Sequence, residues 1–450
     1  MKRVALFGLL ALLLSLSSAC STINYTLLVY DQPSPVKRTY VPVDDGDFIV
    51  AVAVSGGGSR AAVFSAAVMH ELYRQVKLPD GRSITDEIDY ISSVSGGSLS
   101  MAYYCMNKPN VDSSNADLYD RFFSDYLTDM RKNIEGDLVK NIFQFYKIFL
   151  SSEEKGLLLK QAFDKLYFNN RKFDELGKRQ KNKWCPTLIM NGTVMDTGAR
   201  FLFTTLTKDD FDTTPKEVAE RLARTGFGKS DYHFGGDLLG VSFCDDIGLS
   251  IGDMEVSRGA AASASVPLLL GPIVLKDQKK STSSDEFFIH VSDGGINDNQ
   301  GIATVMQLMI DRFIDRPERK YRGGLIIIID SNQSINPMDS IDSVRGFTLL
   351  GTAERAMNIS FYRGKAFTYI TIMFLMSTDP RYQNITFVYI SPYLAGDENI
   401  SNLFEKTPTR FKIEEDKADN LERAAEIVVG KAKDKILDAY VPYMDRKTNK

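Results

Sequence analysis

Residues 88–101 run from an apolar, β-branched segment into a tight turn of small residues, then into a helical pattern over Leu99–Met106. At the centre stands Ser93-x-Ser95-x-Gly97, a spacing that can set one serine on a sharp strand-to-helix elbow with its hydroxyl exposed. The first position of such an elbow is usually glycine, and here it is Ser93. Taken alone, a Ser/Gly cluster reads as a plain turn. Two other stretches change its weight. Upstream lies the loop Ser55-Gly56-Gly57-Gly58-Ser59-Arg60, and far downstream Asp293-Gly294-Gly295 presents a carboxylate just beyond a short apolar segment, Phe287–Val291.

The glycine loop sits between a β-rich run and a helical pattern, the context in which free backbone N–H groups and a helix N-terminus receive negative charge. It is not a dinucleotide fingerprint, because position 61 is Ala where Gly-x-Gly-x-x-Gly requires glycine. Nor is it a phosphate loop, since no Gly-Lys-Ser/Thr follows. An oxyanion hole and a bare turn remain open at this point.

A serine nucleophile needs a base. The chain has three histidines, His70, His233 and His290. His70 lies in the first helical pattern, His233 sits among polar residues and glycines, and His290 precedes Asp293 in the same apolar segment. The order serine, acid, histidine would need a histidine after the acid, and none follows Asp293, so that order could be met only with an acid earlier in the chain and His233 or His290, and nothing around either histidine supports it. The alternative is a carboxylate acting directly on the serine.

The elements that must carry these groups are legible. Phe48–Val54 is a continuous apolar run, as expected of a strand covered on both faces, and a helix is predicted over Ala61–Val76. Two successive strand–turn–helix units imply a parallel sheet with right-handed crossovers. Both turns then lie at the C-terminal edge of neighbouring strands, where α/β proteins place their sites. Residues 107–183 read as a helical insertion, with Leu118, Phe122, Tyr126 and Met130 at helical spacing. Its aromatic cluster Phe143–Leu150 either packs on the sheet or forms a lid or lipid-facing surface, and Lys178–Lys183 reads as a solvated loop. Two strands are predicted over Trp184–Gly192 and Ala199–Thr207, and an alanine-rich helix from Arg258 stops before Pro267. Leu325–Ile329 and Thr386–Ile390 read as further strands, and Asp419–Tyr440 as an amphipathic helix.

The N-terminus is a targeting segment. Lys2 and Arg3 precede an apolar run, Val4–Leu16, too short to span a membrane comfortably, and Ser17, Ser18 and Ala19 lead to Cys20. A cysteine at this place resembles a bacterial lipobox, although the leucine stands one place early at Leu16. The expected layout is a signal peptide over 1–19, a lipidated Cys20 and tether over 20–47, and a catalytic domain over 48–450. An ordinary secretory signal is the alternative. The expected location is membrane-anchored, facing the periplasm or on the outer membrane, or else secreted.

Composition narrows the function class. The 450 residues are 44% hydrophobic and 25% charged with net charge −4 and no long basic run, so a nucleic-acid partner is not expected. None of the four cysteines pairs at metal-like spacing, so no zinc site is expected. A disulfide among Cys105, Cys185 and Cys244 stays open for an oxidising compartment.

Four motifs in order, Gly56-Gly57-Gly58-Ser59-Arg60, Ser93-x-Ser95-x-Gly97, Ala262-Ser263-x-x-x-Pro267 and Asp293-Gly294-Gly295, resemble the patatin-like phospholipase family. Departures are Ser93 for glycine, Ser59-Arg60-Ala61 where the loop often ends in glycine, and Ser265 where alanine is common. The resemblance implies a three-layer α/β/α sandwich around a mostly parallel sheet. It implies Ser95 as nucleophile and Asp293 as its base, a dyad without histidine. It further implies an oxyanion hole from Gly57 and Gly58, helped by Gly96, with Arg60 bracing the loop. No cofactor or metal is required. The implied activity is acyl hydrolysis of phospholipids or lysophospholipids, with membrane phospholipid as substrate and surface. A carboxylesterase for soluble esters, or a non-catalytic surface lipoprotein using the fold as an interaction module, are the competing readings.

Overall fold

Strand β1, Phe48–Val54, alternates its side chains between two cores. Val50, Val52 and Val54 enter one, while Ile49, Ala51 and Ala53 enter the other. Strand β8, Gly323–Ile329, does the same, with Leu325 and Ile327 on the first side and Ile326 and Ile328 on the second. A strand apolar at every position, as both are, belongs inside a sheet with both faces covered. The structure is a computed structural model that describes residues 48–136, 152–207, 210–211, 241–267, 270–310, 312, 322–333, 349–378 and 380–447. Cys20, the segment 1–47, the aromatic run 143–150 and His233 lie outside the described residues.

The remaining strands are β2 (Tyr90–Val94), β3 (Thr187–Val194), β4 (Arg200–Thr204), β5 (Val241–Phe243), β6 (Ile273–Lys276), β7 (Phe288–Asp293) and β9 (Ile385–Ile390). The described strands form one nine-stranded sheet in the order β5-β4-β3-β2-β1-β8-β9, with β7 also paired to β3 and β6 paired to β7. The centre is parallel: β1 with β2 and β8, β2 with β3, and β8 with β9. The pairs β3–β4, β3–β7 and β6–β7 are antiparallel.

Helices cover both faces. On the first lie α1 (Gly58–Gln75), α2 (Gly96–Asn107), α3 (Ala116–Met130), α4 (Ser152–Phe163), α5 (Phe173–Lys181), α6 (Val256–Ser263), α9 (Glu398–Glu405) and α10 (Glu415–Lys447). On the second lie α7 (Ile302–Ile310) and α8 (Leu349–Thr378). The result is the three-layer α/β/α sandwich around a mostly parallel sheet.

Several local expectations are corrected. Both site helices start earlier than their apolar periodicity suggests, α1 at Gly58 and α2 at Gly96, because glycine and serine residues form their first turns. Leu118 is exposed, and the inward stripe of α3 is Tyr119, Phe122, Phe123, Tyr126 and Met130. Lys178–Lys181 belongs to α5 rather than to a loop, its basic side chains following the helix C-terminus. Cys105, Cys185 and Cys244 are buried free thiols, and Cys105 Sγ donates to the Pro186 carbonyl at 3.9 Å.

Candidate active site

The register of β3 brings the serine elbow and the Asp-Gly-Gly turn together. β2 runs beside β3 until its last rung, Val94 opposite Asn191. On the next rung of β3, Gly192 pairs with Asp293 at the end of β7. The short β2 therefore leaves β3 just where the antiparallel β7 arrives. Ser95, the residue after Val94, ends one strand, and Asp293 ends the other. The Ser95 hydroxyl lies close enough to the Asp293 carboxylate to pull its pKa down.

Ser95 occupies φ 54, ψ −126, between β2 and α2. A non-glycine residue at positive φ is strained, and such strain persists where the surroundings over-determine it. Here they do. The Ser95 amide donates to Ser263 Oγ at 3.0 Å, and Ser263 Oγ in turn donates to the Asn191 carbonyl at 2.6 Å. Asn191 Nδ2 donates to Ser92 Oγ and to the Ser93 carbonyl, both at 2.9 Å, and Thr304 Oγ1 donates to Asn191 Oδ1 at 2.6 Å. Ser93, the departure from the usual glycine, is buried and its Oγ donates to the Ile189 carbonyl at 3.3 Å. Its hydroxyl joins the network instead of clashing with it.

Asp293 is 3% exposed and Ser95 4%. Burial pushes the Asp293 carboxyl up to about 6, against the opposing pull of the Gly295 amide and the Ser95 hydroxyl. The Gly295 amide donates to Asp293 Oδ1 at 2.8 Å, Thr193 Oγ1 donates to the Asp293 carbonyl at 2.9 Å, and the Asp293 amide donates to the Ser265 carbonyl at 3.0 Å. The turn needs its first glycine for space, because a Cβ at Gly294 would stand 2.2 Å from the Asn191 carbonyl oxygen.

The glycine loop leaves β1 at the sheet edge beside this pair. Gly57 adopts φ 141, a backbone state that side chains disfavour. Among the described residues, the amides of Gly57, Gly58 and Gly96 donate to no protein acceptor. Gly58 and Gly96 open α1 and α2 respectively, so their amides are free N-terminal donors of two helices. The Gly56 amide donates to the Asn299 carbonyl at 3.0 Å, and the Ser59 amide to the Arg410 carbonyl at 2.7 Å.

Arg60 is buried behind the loop. Its Nε donates to the Ser331 carbonyl at 2.9 Å, Nη1 donates to the Thr407 carbonyl, and the guanidinium lies 5.3 Å from the Phe404 ring centroid. Burial brings its pKa down to about 10. The described histidines take no part: His290 sits 3.3 Å from Asp196, and the His70 ring packs at a tilt against Phe123. No described histidine hydrogen-bonds Ser95 or Asp293, and no described group of three His, Cys, Asp or Glu residues is arranged to hold a metal.

Sequence reasoning assigned no role to Asn191, Ser263, Asn299 or Arg410. Asn191 carries one signal, a polar side chain inside the apolar run Thr187–Val194. Ser263 stands in a motif but reads as part of a small-residue helix. Arg410 lies far along the chain, and nothing local marks its contact with the glycine loop. Beside the site, Asp330 is fully buried at the end of β8. Its Oδ2 accepts from Tyr389 Oη at 2.6 Å, Gln300 Nε2 at 2.9 Å and Lys365 Nζ.

A family model described as patatin-like phospholipase matches residues 52–306, more than half of the chain. The chain belongs to the patatin-like phospholipase family. The match covers the glycine loop, the serine elbow and the Asp-Gly-Gly turn. Among solved structures, human GIVD cytosolic phospholipase A2 is similar at 10% identity and TM-score 0.46, covering 87% of this chain and 59% of that one. The same human enzyme in complex with methyl gamma-linolenyl fluorophosphonate gives 10% identity and TM-score 0.44, covering 89% and 60%. VipD from Legionella pneumophila gives 10% identity and TM-score 0.32, covering 92% of this chain and 72% of that one. The chain thus spans about three fifths of the length of the human enzyme. No curated protein matches it.

Proposed function

We propose that this protein is a serine acyl hydrolase that releases fatty acids from phospholipids or lysophospholipids through a Ser95–Asp293 dyad. The observation that carries the reading is the meeting of these two buried side chains where β2 leaves β3 and β7 arrives, Ser95 following the last residue of β2 and Asp293 ending β7. Family membership supports the lipid ester as substrate.

Asp293 in its carboxylate form takes the proton from Ser95 as Oγ attacks the ester carbonyl carbon. The tetrahedral oxyanion is received by the free amides of Gly57, Gly58 and Gly96, each such donor being worth roughly 3 kcal/mol in a transition state. The carbonyl re-forms as the ester C–O bond breaks, and protonated Asp293 gives its proton to the departing alcohol. A water molecule then attacks the acyl-enzyme, passing its proton to Asp293. The carbonyl re-forms again, Ser95 regains its proton, and the fatty acid leaves. Arg60 supports the loop from behind and touches no reacting atom.

A fluorophosphonate probe tests the assignment. Labelling of the wild type and its loss in folded Ser95→Ala supports Ser95 as nucleophile, and persistent labelling assigns another serine. Rates on phospholipid vesicles against a short soluble ester separate a lipid hydrolase from a general carboxylesterase, and inactivity on both favours an interaction module. For location, the sequence supports a signal peptide over 1–19 and a lipidated Cys20 that tethers the enzyme to a membrane. Mass spectrometry of the mature N-terminus should find a lipidated cysteine, and an unmodified Cys20 ends that proposal.

A further inference from the structure

Helix α8 carries apolar side chains on two sides, and among the described residues only one side has a partner. Inward, Ile372 is buried in the second core, with Tyr369 and Met376 packed against that core. Lys365 pairs with Asp330, and Gln300 Nε2 donates to Tyr369 Oη at 3.0 Å. Outward, Ile359, Tyr362, Ala366, Ile370 and Met373 are all exposed. Their spacings of three and four residues put them in one row along the helix. Ile370 is 64% exposed and Met373 69%, and four of the nine large exposed hydrophobic residues in the described structure lie in this row. Single exposed apolar residues are ordinary, but an aligned row marks a contact surface.

We propose that this outer row of α8 is a lipid-docking face, which seats the protein on an anionic phospholipid surface. The proposal rests on the reading of the substrate as a membrane lipid. Charge favours that occupant. Between Arg355 and Thr378 the chain has no Asp or Glu, while Arg355 and Arg363 are basic, in a protein of net charge −4. Arg355 and Arg363 are both exposed. Basic residues beside an apolar row suit the negative surface of an anionic bilayer, and tyrosine suits its headgroup level. The helix lies on the surface rather than through it, because no described helix is long and apolar enough to cross a membrane. The site is close by. The single helical turn Gly295–Asp298, separated from Asp293 by Gly294 alone, packs against α8. The lipid-facing helix is thus in contact with the turn that holds the proposed base.

The test uses the full chain in a Ser95→Ala background, which spares the lipid. Ile370→Cys, labelled with an environment-sensitive fluorophore, is mixed with phosphatidylcholine–phosphatidylglycerol vesicles that carry lipid-borne quenchers. Leu118→Cys, on α3 in the opposite layer, is the control. Quenching of at least twofold at position 370 and none at 118 is expected. No quenching at 370, or equal quenching at both, overturns the proposal. A spectral shift at 370 that appears without vesicles and grows with protein concentration also overturns it, by assigning the row to a second copy of the chain. In the active protein, Ile370→Glu with Met373→Glu should lower the ratio of vesicle rate to soluble-ester rate at least tenfold, and an unchanged ratio overturns the docking role. If the wild type hydrolyses neither substrate, the hydrolase reading fails by itself and the quenching result still decides this one.

Discussion

A Cβ on Gly96 would stand 1.9 Å from the carbonyl oxygen of Gly58. The two glycines belong to different strand–turn–helix units, so this approach sets how closely the glycine loop and the serine elbow can come together. Gly96→Ala must therefore push the two turns apart. Overpacking of this kind costs about 1–3 kcal/mol, and displacement of catalytic groups by about 1 Å can cost a hundredfold in rate. The expected outcome is a fall in kcat of at least that size with a lower Tm, read by ester hydrolysis and thermal melting. A variant as active as the wild type would separate the two loops functionally.

Burial sets the working pH of the dyad. Asp293 acts as base only as the carboxylate, and its carboxyl is raised to about 6. The value of kcat/KM for a soluble ester should fall roughly tenfold per pH unit below about 6 and level off above it. A pH–rate profile from 4.5 to 8 checks this. A flat profile through that range would remove Asp293 as the titrating base.

The parallel centre of the fold and both turns were legible in the sequence because each is a local pattern. Phe48–Val54 is apolar at every position, and a glycine-rich loop follows it directly. The meeting of Ser95 and Asp293 was legible only through the family resemblance. It depends on β7 pairing antiparallel with β3 at Gly192, a contact between residues far apart in the chain. Strands β5 and β6 went unread because three and four residues are too short for a period to show. Helix α8 went unread for a different reason: apolar residues lie both inward and outward along it, which blurs its 3.6-residue period.

Ser263 links the elbow to β3 through a single hydroxyl, which accepts from the Ser95 amide and donates to the Asn191 carbonyl. Ser263→Ala leaves both groups short of a partner at a fully buried position. An unsatisfied buried group costs about 1–3 kcal/mol, and that loss should appear as a lower urea midpoint with an unchanged m-value. The strained Ser95 backbone loses its tether at the same time, so kcat should fall about tenfold with KM little changed, on the premise that only positioning is lost. A drop in KM alone would contradict a positioning role.

Asp293 is also where activity and stability oppose one another. Its folded-state pKa of about 6 lies above the ordinary value of 3.8, so burial disfavours the charged form. Below 3.8 the group is protonated in folded and unfolded chains alike, and no penalty exists. As pH rises from there to about 6, the unfolded chain ionises first, and stability falls to its full deficit above that value. Two pH units of displacement correspond to an upper limit of about 3 kcal/mol. Asp293→Asn removes the charge and keeps an oxygen for the Gly295 amide. The variant should be inactive yet melt higher than the wild type at pH 7.5, with the gain shrinking as pH is lowered toward 4. A variant that melts lower at pH 7.5 would mean that the altered contacts of residue 293 outweigh the burial of the charge.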